Sequence, residues 1–218
     1  MATPSSPVLD RRLIRRRETV DEALDHAVAI MTERGVGALT ISEVARRMGV
    51  RGPSLYKYFP SLHAVYDQLF ARGAAAHNAA MAAAMEPREP GLERIKALAE
   101  ASLRWSLANP ALGQLMFWRP VPGFEPSPSS FAISSEGLGR LRAELAAAAT
   151  LGQLTRAADS NDAARMLTVV ISGLFTRQSA NQPGVGYEDG LFSRLADDAF
   201  DMFLARYTTT ESATTGSA

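Results

Sequence analysis

Apolar residues recur along most of this chain three or four positions apart, the period of an α-helix that buries one face. The first such stripe is followed by two glycines, residues that commonly end helices. Its members are Val20, Leu24, Ala27 and Met31. Thr19 and Glu22 have the spacing of a capping box, in which two side chains bond the free amides at a helix start. The pattern therefore predicts a first helix that begins at Thr19 and ends before Gly35.

Two short helical segments follow, joined by a glycine. Thr40 and Glu43 form a second capping box ahead of a short apolar face. Gly49 stops this helix, because glycine adopts a positive φ at little cost. Pro53 suits the first position of the next helix, where the missing amide hydrogen has no partner in any case. We expect this third helix to run from about Pro53 to Phe59, just before another proline.

The remainder of the chain continues as helices and loops. Ser61 is expected to cap a long, alanine-rich helix that ends near Met85. Further helical patterns cover about 91–108, 111–118, 131–149, 160–181 and 187–207. Four prolines between 119 and 130 predict a loop there, either a lid or a connector. Neither a repeat nor a convincing strand alternation occurs, so the predicted fold class is all-α.

Composition narrows the class of protein. The chain is 46% hydrophobic and 21% charged, as soluble globular proteins are, and no apolar run approaches the roughly 18 residues of a membrane span. The first residues lack the apolar stretch of a secretory signal. The sequence has no cysteine, which excludes disulfides, thiolate zinc sites and a cysteine nucleophile. We therefore expect a cytoplasmic protein.

Charge is distributed unevenly, although the formal net charge is zero. Residues 1–60 carry ten Arg and Lys against seven Asp and Glu, whereas residues 61–218 carry thirteen against sixteen. The basic excess includes a close group of arginines: Arg11, Arg12, Arg15, Arg16 and Arg17. Residues 1–18 are expected to form a flexible basic arm, either a solvated tail or a contact to nucleic-acid phosphates.

Enzyme chemistry finds little support in the sequence. The three histidines, His26, His63 and His77, are far apart and lack metal-ligand spacing. There is no nucleophile elbow and no glycine pattern that would cradle a phosphate. We therefore expect no enzymatic activity, no metal and no cofactor.

The segment LTISEVARRMGVRGPSLYKYFPS, residues 39–61, carries the clearest functional signal. Two short helices joined by a tight glycine turn, after a longer helix, describe a helix-turn-helix, here over residues 40–59. This segment resembles the DNA-binding domain of the TetR family of transcriptional regulators. The matching residues are Thr40, Ile41, Val44, Ala45, Gly49, Val50, Leu55, Tyr56, Tyr58 and Phe59. The similarity is dense over residues 19–70, and beyond residue 85 it rests on helix number and length alone.

The resemblance implies a two-domain organisation. A helix-turn-helix domain would span residues 19–65 and a ligand-binding and dimerisation domain residues 66–207. Residues 208–218 are polar and are themselves expected to form a disordered tail. It also implies a homodimer that binds a palindromic double-stranded DNA operator. Such a protein would act as a repressor until a small-molecule effector releases it. The alternative is a helical protein–protein adaptor that has lost DNA binding.

The resemblance assigns roles to individual residues of the helix-turn-helix. Thr40 and Tyr56 are implied to contact the DNA backbone, and a second group is implied to lie against base edges. This second group is Ser42, Gly52, Pro53 and Ser54. Lys57 would reach a phosphate or a base, and Arg51 is a further candidate because it precedes the reading helix. Simpler roles stay open, since Thr40 is also a helix cap and Tyr56 also a candidate for surface packing.

An aromatic cluster beside the proline-rich loop is the candidate ligand site. The residues chosen for it are Trp105, Met116, Phe117, Trp118, Phe175 and Gln178. Because binding pockets are mostly apolar, a largely apolar effector is expected. Aromatic residues at helical spacing also build ordinary cores, so that interpretation stays open.

The stretch 163–175 is apolar nearly all round, and such a helix must be buried on most sides. Burial between a core and a second subunit would satisfy this requirement. The candidate dimer residues are Val170, Leu174, Phe192, Leu195 and Phe203. The alternative is the core of a simple monomer.

Overall fold

Eight α-helices, and no strand, make up residues 7–208, the part of the chain that this computed structural model describes. The helices are α1 (Pro7–Arg34), α2 (Ile41–Arg47), α3 (Leu62–Met85), α4 (Leu92–Ala108), α5 (Pro110–Trp118), α6 (Pro128–Thr150), α7 (Asn161–Asn181) and α8 (Ala196–Ala205). The predicted all-α class is therefore confirmed. None of these helices is long and apolar enough to cross a membrane.

The first helix begins at Pro7, well before the predicted start at Thr19. Thr19 lies inside it, and its hydroxyl donates to the carbonyl oxygen of Arg15 at 2.9 Å, as threonines within helices do. Arginine favours helices and proline suits their first position, so the basic segment extends the helix. Residues 7–18 are thus helical instead of forming the expected flexible arm, and residues 1–6 lie outside the described part of the chain.

The next two segments follow the predicted local signals in part. Thr40 caps α2 by accepting a hydrogen bond from the amide of Glu43 at 3.2 Å, and Gly49 takes a φ of +67°. The third segment is only a 3-10 helix over Gly52–Ser54, followed by a turn that leads to Phe59. The prediction of a helix over 53–59 is therefore wrong in its length and type. Glycine disfavours the α-helix and proline has no amide hydrogen to donate, so the segment does not form a full α-helix.

The last predicted helix also needs correction. Its helical part is a 3-10 turn at Ser193–Leu195 followed by α8, whereas residues 182–192 form a loop instead of helix. The buried side chain of Gln178 holds this loop by accepting a hydrogen bond from the amide of Phe192 at 2.9 Å. A Cβ on Gly190 would lie 2.5 Å from the Gln178 amide nitrogen, so a larger residue there would displace the Gln178 side chain.

Two clusters of buried residues hold the helices together. The first joins α1, α2 and the start of α3 to one face of α5. The second lies among α4, α6, α7 and α8 and includes Met81 from the end of α3. Because α3 contributes to both clusters, the expected domain boundary at residue 65 falls within one continuous helix. α3 and α5 therefore connect the helix-turn-helix mechanically to the rest of the molecule.

Candidate nucleic-acid interface and ligand cavity

The segment after Gly49, here called the reading segment (residues 51–59), is fixed by two buried side chains. Leu55 and Phe59 are almost fully enclosed in the first core cluster. A segment this short would not keep its shape in water without such packing. The side chains that remain exposed on it are Arg51, Pro53, Ser54, Tyr56 and Lys57. Tyr56 is 54% exposed, so its ring does not serve the core.

α2 presents the remaining predicted contacts. Its apolar residues Ile41, Val44 and Ala45 face the core, which leaves Ser42 exposed on the opposite side. Thr40 is exposed as well, and its hydroxyl oxygen accepts the capping hydrogen bond from the amide of residue 43. A hydroxyl also carries one donor hydrogen. Capping the helix and donating to a phosphate are therefore compatible roles for Thr40.

An ion-pair cluster fixes α2 against α1. The Glu43 carboxylate accepts two hydrogen bonds of 2.8 Å from Arg46 and lies 3.4 Å from both Arg34 and Arg47. Donation from Arg46 lowers the pKa of Glu43 to about 2, so the carboxylate stays ionised at neutral pH. Arg47 also bonds Glu33 on α1 and is half-buried. Arg34 and Arg47 therefore link the two helices, whereas Arg46 bonds within α2.

The basic extension of α1 lies beside the reading segment. Nη1 of Arg16 is 3.5 Å from the carbonyl oxygen of Lys57. The Arg16 guanidinium carbon and the Lys57 ammonium nitrogen lie 5.1 Å and 4.8 Å from the centre of the Tyr58 ring. Both cations thus share one aromatic side chain, which places the positive charge of α1 next to that of the reading segment.

A cavity of about 360 Å³ lies among α3, α4, α5, α6 and α7. Its deeper wall includes His77, Met81, Leu98 and Ser102, which are all buried. Its mouth is formed by partly exposed side chains from α5, α6 and α7. The mouth residues include Phe117, Phe131, Ser135, Thr168, Val169 and Ser172. The site is therefore an apolar chamber with hydroxyl groups at its edges.

His77 and Ser102 form the polar centre of this cavity. Nε2 of His77 lies 2.7 Å from the Ser102 hydroxyl oxygen, and the imidazole packs edge-on against Trp105 and Phe117 at 5.1 and 5.8 Å between ring centres. Burial lowers the pKa of His77 to about 4, so the ring is neutral at neutral pH. Sequence reasoning missed both residues, although His77 lies four positions before Met81 on one apolar face of α3.

The predicted ligand residues divide into two groups. Met116 and Phe117 line the cavity. The other four are not among the residues that line it, and they pack around it instead. Trp105 supports His77, and Trp118 donates through Nε1 to the Thr176 hydroxyl at 2.9 Å.

The remaining two of these four are interior residues. Phe175 is completely buried against Gly113, where an added Cβ would lie 2.8 Å from the phenylalanine ring. Gln178 is also completely buried and holds the loop ahead of α8. Their burial and helical spacing come from core packing, which the sequence pattern alone does not distinguish from a pocket.

The predicted dimer residues differ in how far they are exposed. Phe203 is buried in the second core cluster, with its ring 5.2 Å from that of Tyr207, so it is corrected to a core residue. Val170 and Leu174 are half-buried and pack partly on the same core. Leu195 is exposed, whereas Phe192 is half-buried beneath Arg177.

Other apolar side chains on α7 and α8 are more exposed than the predicted ones. Met166 is 50% exposed, Val169 61% and Met202 77%. Met166, Val169 and Gly173 follow one another at spacings of three and four, so they form a single stripe on α7. The sequence did not predict these residues, because a helix that is apolar on all sides does not show which face is buried and which is exposed.

An exposed reading segment on a helix-turn-helix, joined to a larger helical unit that contains a cavity, defines a helix-turn-helix DNA-binding regulator. The chain belongs to the TetR family. Residues 23–69 match the sequence model described as bacterial regulatory proteins, tetR family. Residues 95–205 match the model described as tetracyclin repressor-like, C-terminal domain. The resemblance found in the sequence is thereby confirmed, and it extends to the second half of the chain.

Individual relatives are distant. Over 112 residues the chain is 26% identical to the nucleoid occlusion factor SlmA of Haemophilus influenzae, an alignment that covers 51% of this chain and 50% of that protein. The chain thus spans about half the length of the curated relatives it matches.

Solved structures share the fold at low identity. One is a protein of unknown function from Rhodococcus sp. RHA1, with a TM-score of 0.73, 22% identity and coverage of 87% of this chain and 95% of that one. The regulator PfmR from Thermus thermophilus has a TM-score of 0.67 and 20% identity. The alignment covers 84% of this chain and 97% of that one. FadR from Bacillus subtilis, solved in complex with stearoyl-CoA, has a TM-score of 0.67 and 15% identity. That alignment covers 84% of this chain and 97% of FadR.

Proposed function

We propose that this protein is a cytoplasmic, homodimeric repressor that binds a palindromic DNA operator and leaves it when a small, largely apolar molecule occupies the cavity. The observation that carries this proposal is the reading segment itself. Its apolar side chains are buried and its polar ones exposed, with Arg16 and Lys57 adding positive charge on one side. This arrangement suits a double helix that carries a groove of base edges between two rows of phosphates.

The exposed residues divide into two roles in this proposal. Tyr56, Lys57 and Thr40 contact the phosphate backbone and position the protein without reading sequence. A second group lies against base edges in the major groove, which is about 12 Å wide and admits one helical element. This group is Ser42, Gly52, Pro53 and Ser54. Arg51 extends from the start of the reading segment towards either a base or a phosphate.

A second subunit completes the proposed DNA-binding unit. One reading segment covers few base pairs, and a two-fold dimer presents two of them to a palindromic site. The surface proposed for dimerisation is the exposed apolar side of α7 and α8. It consists of Met166, Val169, Leu195 and Met202, with Val170, Leu174 and Phe192 at its edges.

The fold provides a mechanical route from the cavity to the DNA. Met116 and Phe117 of α5 line the cavity, while Leu112 and Leu115 of the same helix pack into the first core cluster. α3 behaves similarly, because its end contributes His77 to the cavity and its start packs against the helix-turn-helix.

A ligand that shifts α5 or α3 would therefore move the reading segment. Such a ligand weakens DNA binding only by its differential affinity for the two conformations, typically about 1–3 kcal/mol. The stearoyl-CoA in the FadR structure supports a ligand in this fold, although it belongs to that protein.

The alternative function is a helical adaptor that has lost DNA binding. Selection of bound duplexes from random DNA separates the two. A repressor of the proposed kind yields a consensus with two-fold symmetry, and its affinity falls steeply as salt rises, since bound cations are released from the phosphates. An adaptor yields no consensus and no salt-dependent binding.

A further inference from the structure

Building on the proposed effector role, we infer that the ligand of this cavity is an uncharged, mostly apolar molecule with a polar group that hydrogen-bonds to the His77–Ser102 pair. Two features of the cavity define this chemical class: the residues that line it and the hydrogen bonds that their polar groups already make.

The cavity lining contains no charged side chain. Its members are apolar residues, glycine, hydroxyl residues and one histidine, with no Asp, Glu, Lys or Arg among them. Transfer of an ionised group from water into such surroundings is costly unless an opposite charge or several hydrogen bonds compensate for it. A carboxylate or phosphate ligand would meet neither in the described lining.

The one titratable group in the lining does not supply a charge. Burial holds the pKa of His77 at about 4, so at neutral pH its imidazole is uncharged. A neutral imidazole offers one donor and one acceptor. Nε2 is engaged with the Ser102 hydroxyl at 2.7 Å, which leaves Nδ1 as the second polar atom of the ring.

Nδ1 of His77 has no hydrogen-bond partner among the described residues, whereas every fully buried side-chain nitrogen and oxygen atom in that part of the chain has one. Nδ1 must therefore touch open space, and His77 is a lining residue that is only 9% exposed. If the Ser102 hydroxyl donates to Nε2, then Nδ1 carries the hydrogen and can donate to a ligand carbonyl or hydroxyl oxygen.

The hydroxyl groups at the mouth do not compensate a negative charge on a ligand. Ser135, Thr168 and Ser172 each donate to a carbonyl oxygen of their own helix, at distances of 2.7–3.2 Å. Their hydrogens are thereby used, and they offer a ligand only lone pairs. A group that only accepts hydrogen bonds, whether a carboxylate or a carbonyl, gains nothing from them, so they do not offset the cost of burying a charge.

Size restricts the ligand further. A volume of about 360 Å³ lies at the small end of the usual range of ligand pockets, about 300–1,000 Å³. A compact molecule of one or two rings suits this volume, whereas an acyl-coenzyme A, which is long and highly charged, does not.

A matched pair of probes tests the inference. Methyl 2-naphthyl ketone and 2-naphthoate share one ring system and differ in charge. Titration calorimetry at pH 7.5 on the full chain is expected to show one ketone bound per subunit, at least about tenfold more tightly than the carboxylate. Equal or tighter binding of 2-naphthoate overturns the inference, and so does the absence of ketone binding up to its solubility limit.

Substitutions in the cavity wall, each with a control elsewhere, test whether the ketone binds in this cavity. Ser172→Phe fills the mouth and is expected to abolish ketone binding, whereas Ala180→Phe, on the exposed side of the same helix, is expected to leave it unchanged. His77→Leu removes the polar partner and is expected to weaken ketone binding about tenfold, the effect of one hydrogen bond. His26→Leu on α1 is its control.

Unchanged ketone binding in both Ser172→Phe and His77→Leu contradicts the inference, because the ligand then binds elsewhere. None of these measurements involves DNA. Failure of the inference is therefore distinguishable from failure of the proposed repressor function, which would appear as a lack of duplex binding by the ligand-free protein.

Discussion

Arg16 and Lys57 meet across the helix-turn-helix: Nη1 of Arg16 lies 3.5 Å from the carbonyl oxygen of Lys57, and both cations face the ring of Tyr58. The contact joins two segments 41 positions apart in the sequence. It brings a helix extension that carries five arginines next to the segment proposed to read DNA. A phosphate bound by Lys57 would therefore also lie within the field of Arg16.

Replacing Arg16 by Ala should weaken binding to operator and random duplexes alike, because a phosphate contact supplies affinity without sequence information. The slope of log affinity against log salt should fall by roughly one unit. Filter binding or fluorescence anisotropy at several salt concentrations measures both quantities. Arg140→Ala, an exposed change on α6, is the matched control. An unchanged slope in Arg16→Ala would exclude a phosphate contact for this arginine.

Replacing Met166 by Glu should convert the dimer into a folded monomer, because the side chain is 50% exposed on the apolar stripe of α7 and does not line the cavity. A buried, unpaired carboxylate is costly at an interface, whereas an exposed one is tolerated by the monomer. Sedimentation at micromolar concentration measures the mass. The control is Leu151→Glu, which is 57% exposed but lies beyond the end of α6. A stable monomer for the unmodified chain would contradict this surface.

His77 should make the protein less stable in mild acid. Its pKa is lowered from 6.5 to about 4 by burial, so between those values the unfolded chain binds more protons than the folded one. The contribution of this group is fully present above pH 6.5 and is lost as the pH falls towards 4, by up to about 3 kcal/mol on the scale of 1.36 kcal/mol per pKa unit.

Urea unfolding of the unmodified chain and of His77→Gln, each at pH 7.5 and at pH 4.5, measures this effect. The variant should lose clearly less stability than the unmodified chain between the two pH values. Identical losses in both proteins would show that His77 does not titrate in this range.

Replacing Phe59 by Ala should destabilise the helix-turn-helix by about 3–5 kcal/mol, the usual cost of removing a buried phenylalanine ring. Phe59 is almost fully enclosed and fixes the end of the reading segment. Thermal unfolding followed by circular dichroism is the measurement. Tyr56→Ala changes an exposed aromatic residue three positions away and should alter stability by less than about 1 kcal/mol. Comparable destabilisation in the two variants would mean that the segment is not anchored as described.

Local signals in the sequence predicted the caps and the glycine turn of the helix-turn-helix, but not its third helix. Thr40 and Ser61 cap the helices that follow them, and Gly49 adopts the positive φ expected of it. These features depend on a few neighbouring residues, so a short stretch of sequence contains the necessary information. The start of α1 was missed because Thr19 has the composition of a cap but bonds back to Arg15 within a longer helix.

The cavity and the dimer surface depend on contacts between distant segments. Trp105 and Phe175 have the same apolar character as the residues that line the cavity. Only the packed structure shows that they lie behind the lining instead of facing the cavity. His77 and Ser102 lie on two different helices and are 25 positions apart in the sequence, yet their side chains meet. Single-sequence periodicity gives the buried face of each helix but not which faces meet, so this pair could not be predicted.

The most direct test of the account is a titration of three variants against a selected operator and a scrambled duplex at two salt concentrations. Tyr56→Phe and Lys57→Ala should weaken binding to both duplexes, and Lys57→Ala should lower the salt slope by roughly one unit. Ser54→Ala should lose about 1–3 kcal/mol at one base pair of the operator and little on the scrambled duplex. If all three bind operator like the unmodified protein while remaining folded dimers, residues 51–59 do not read DNA and the central claim fails.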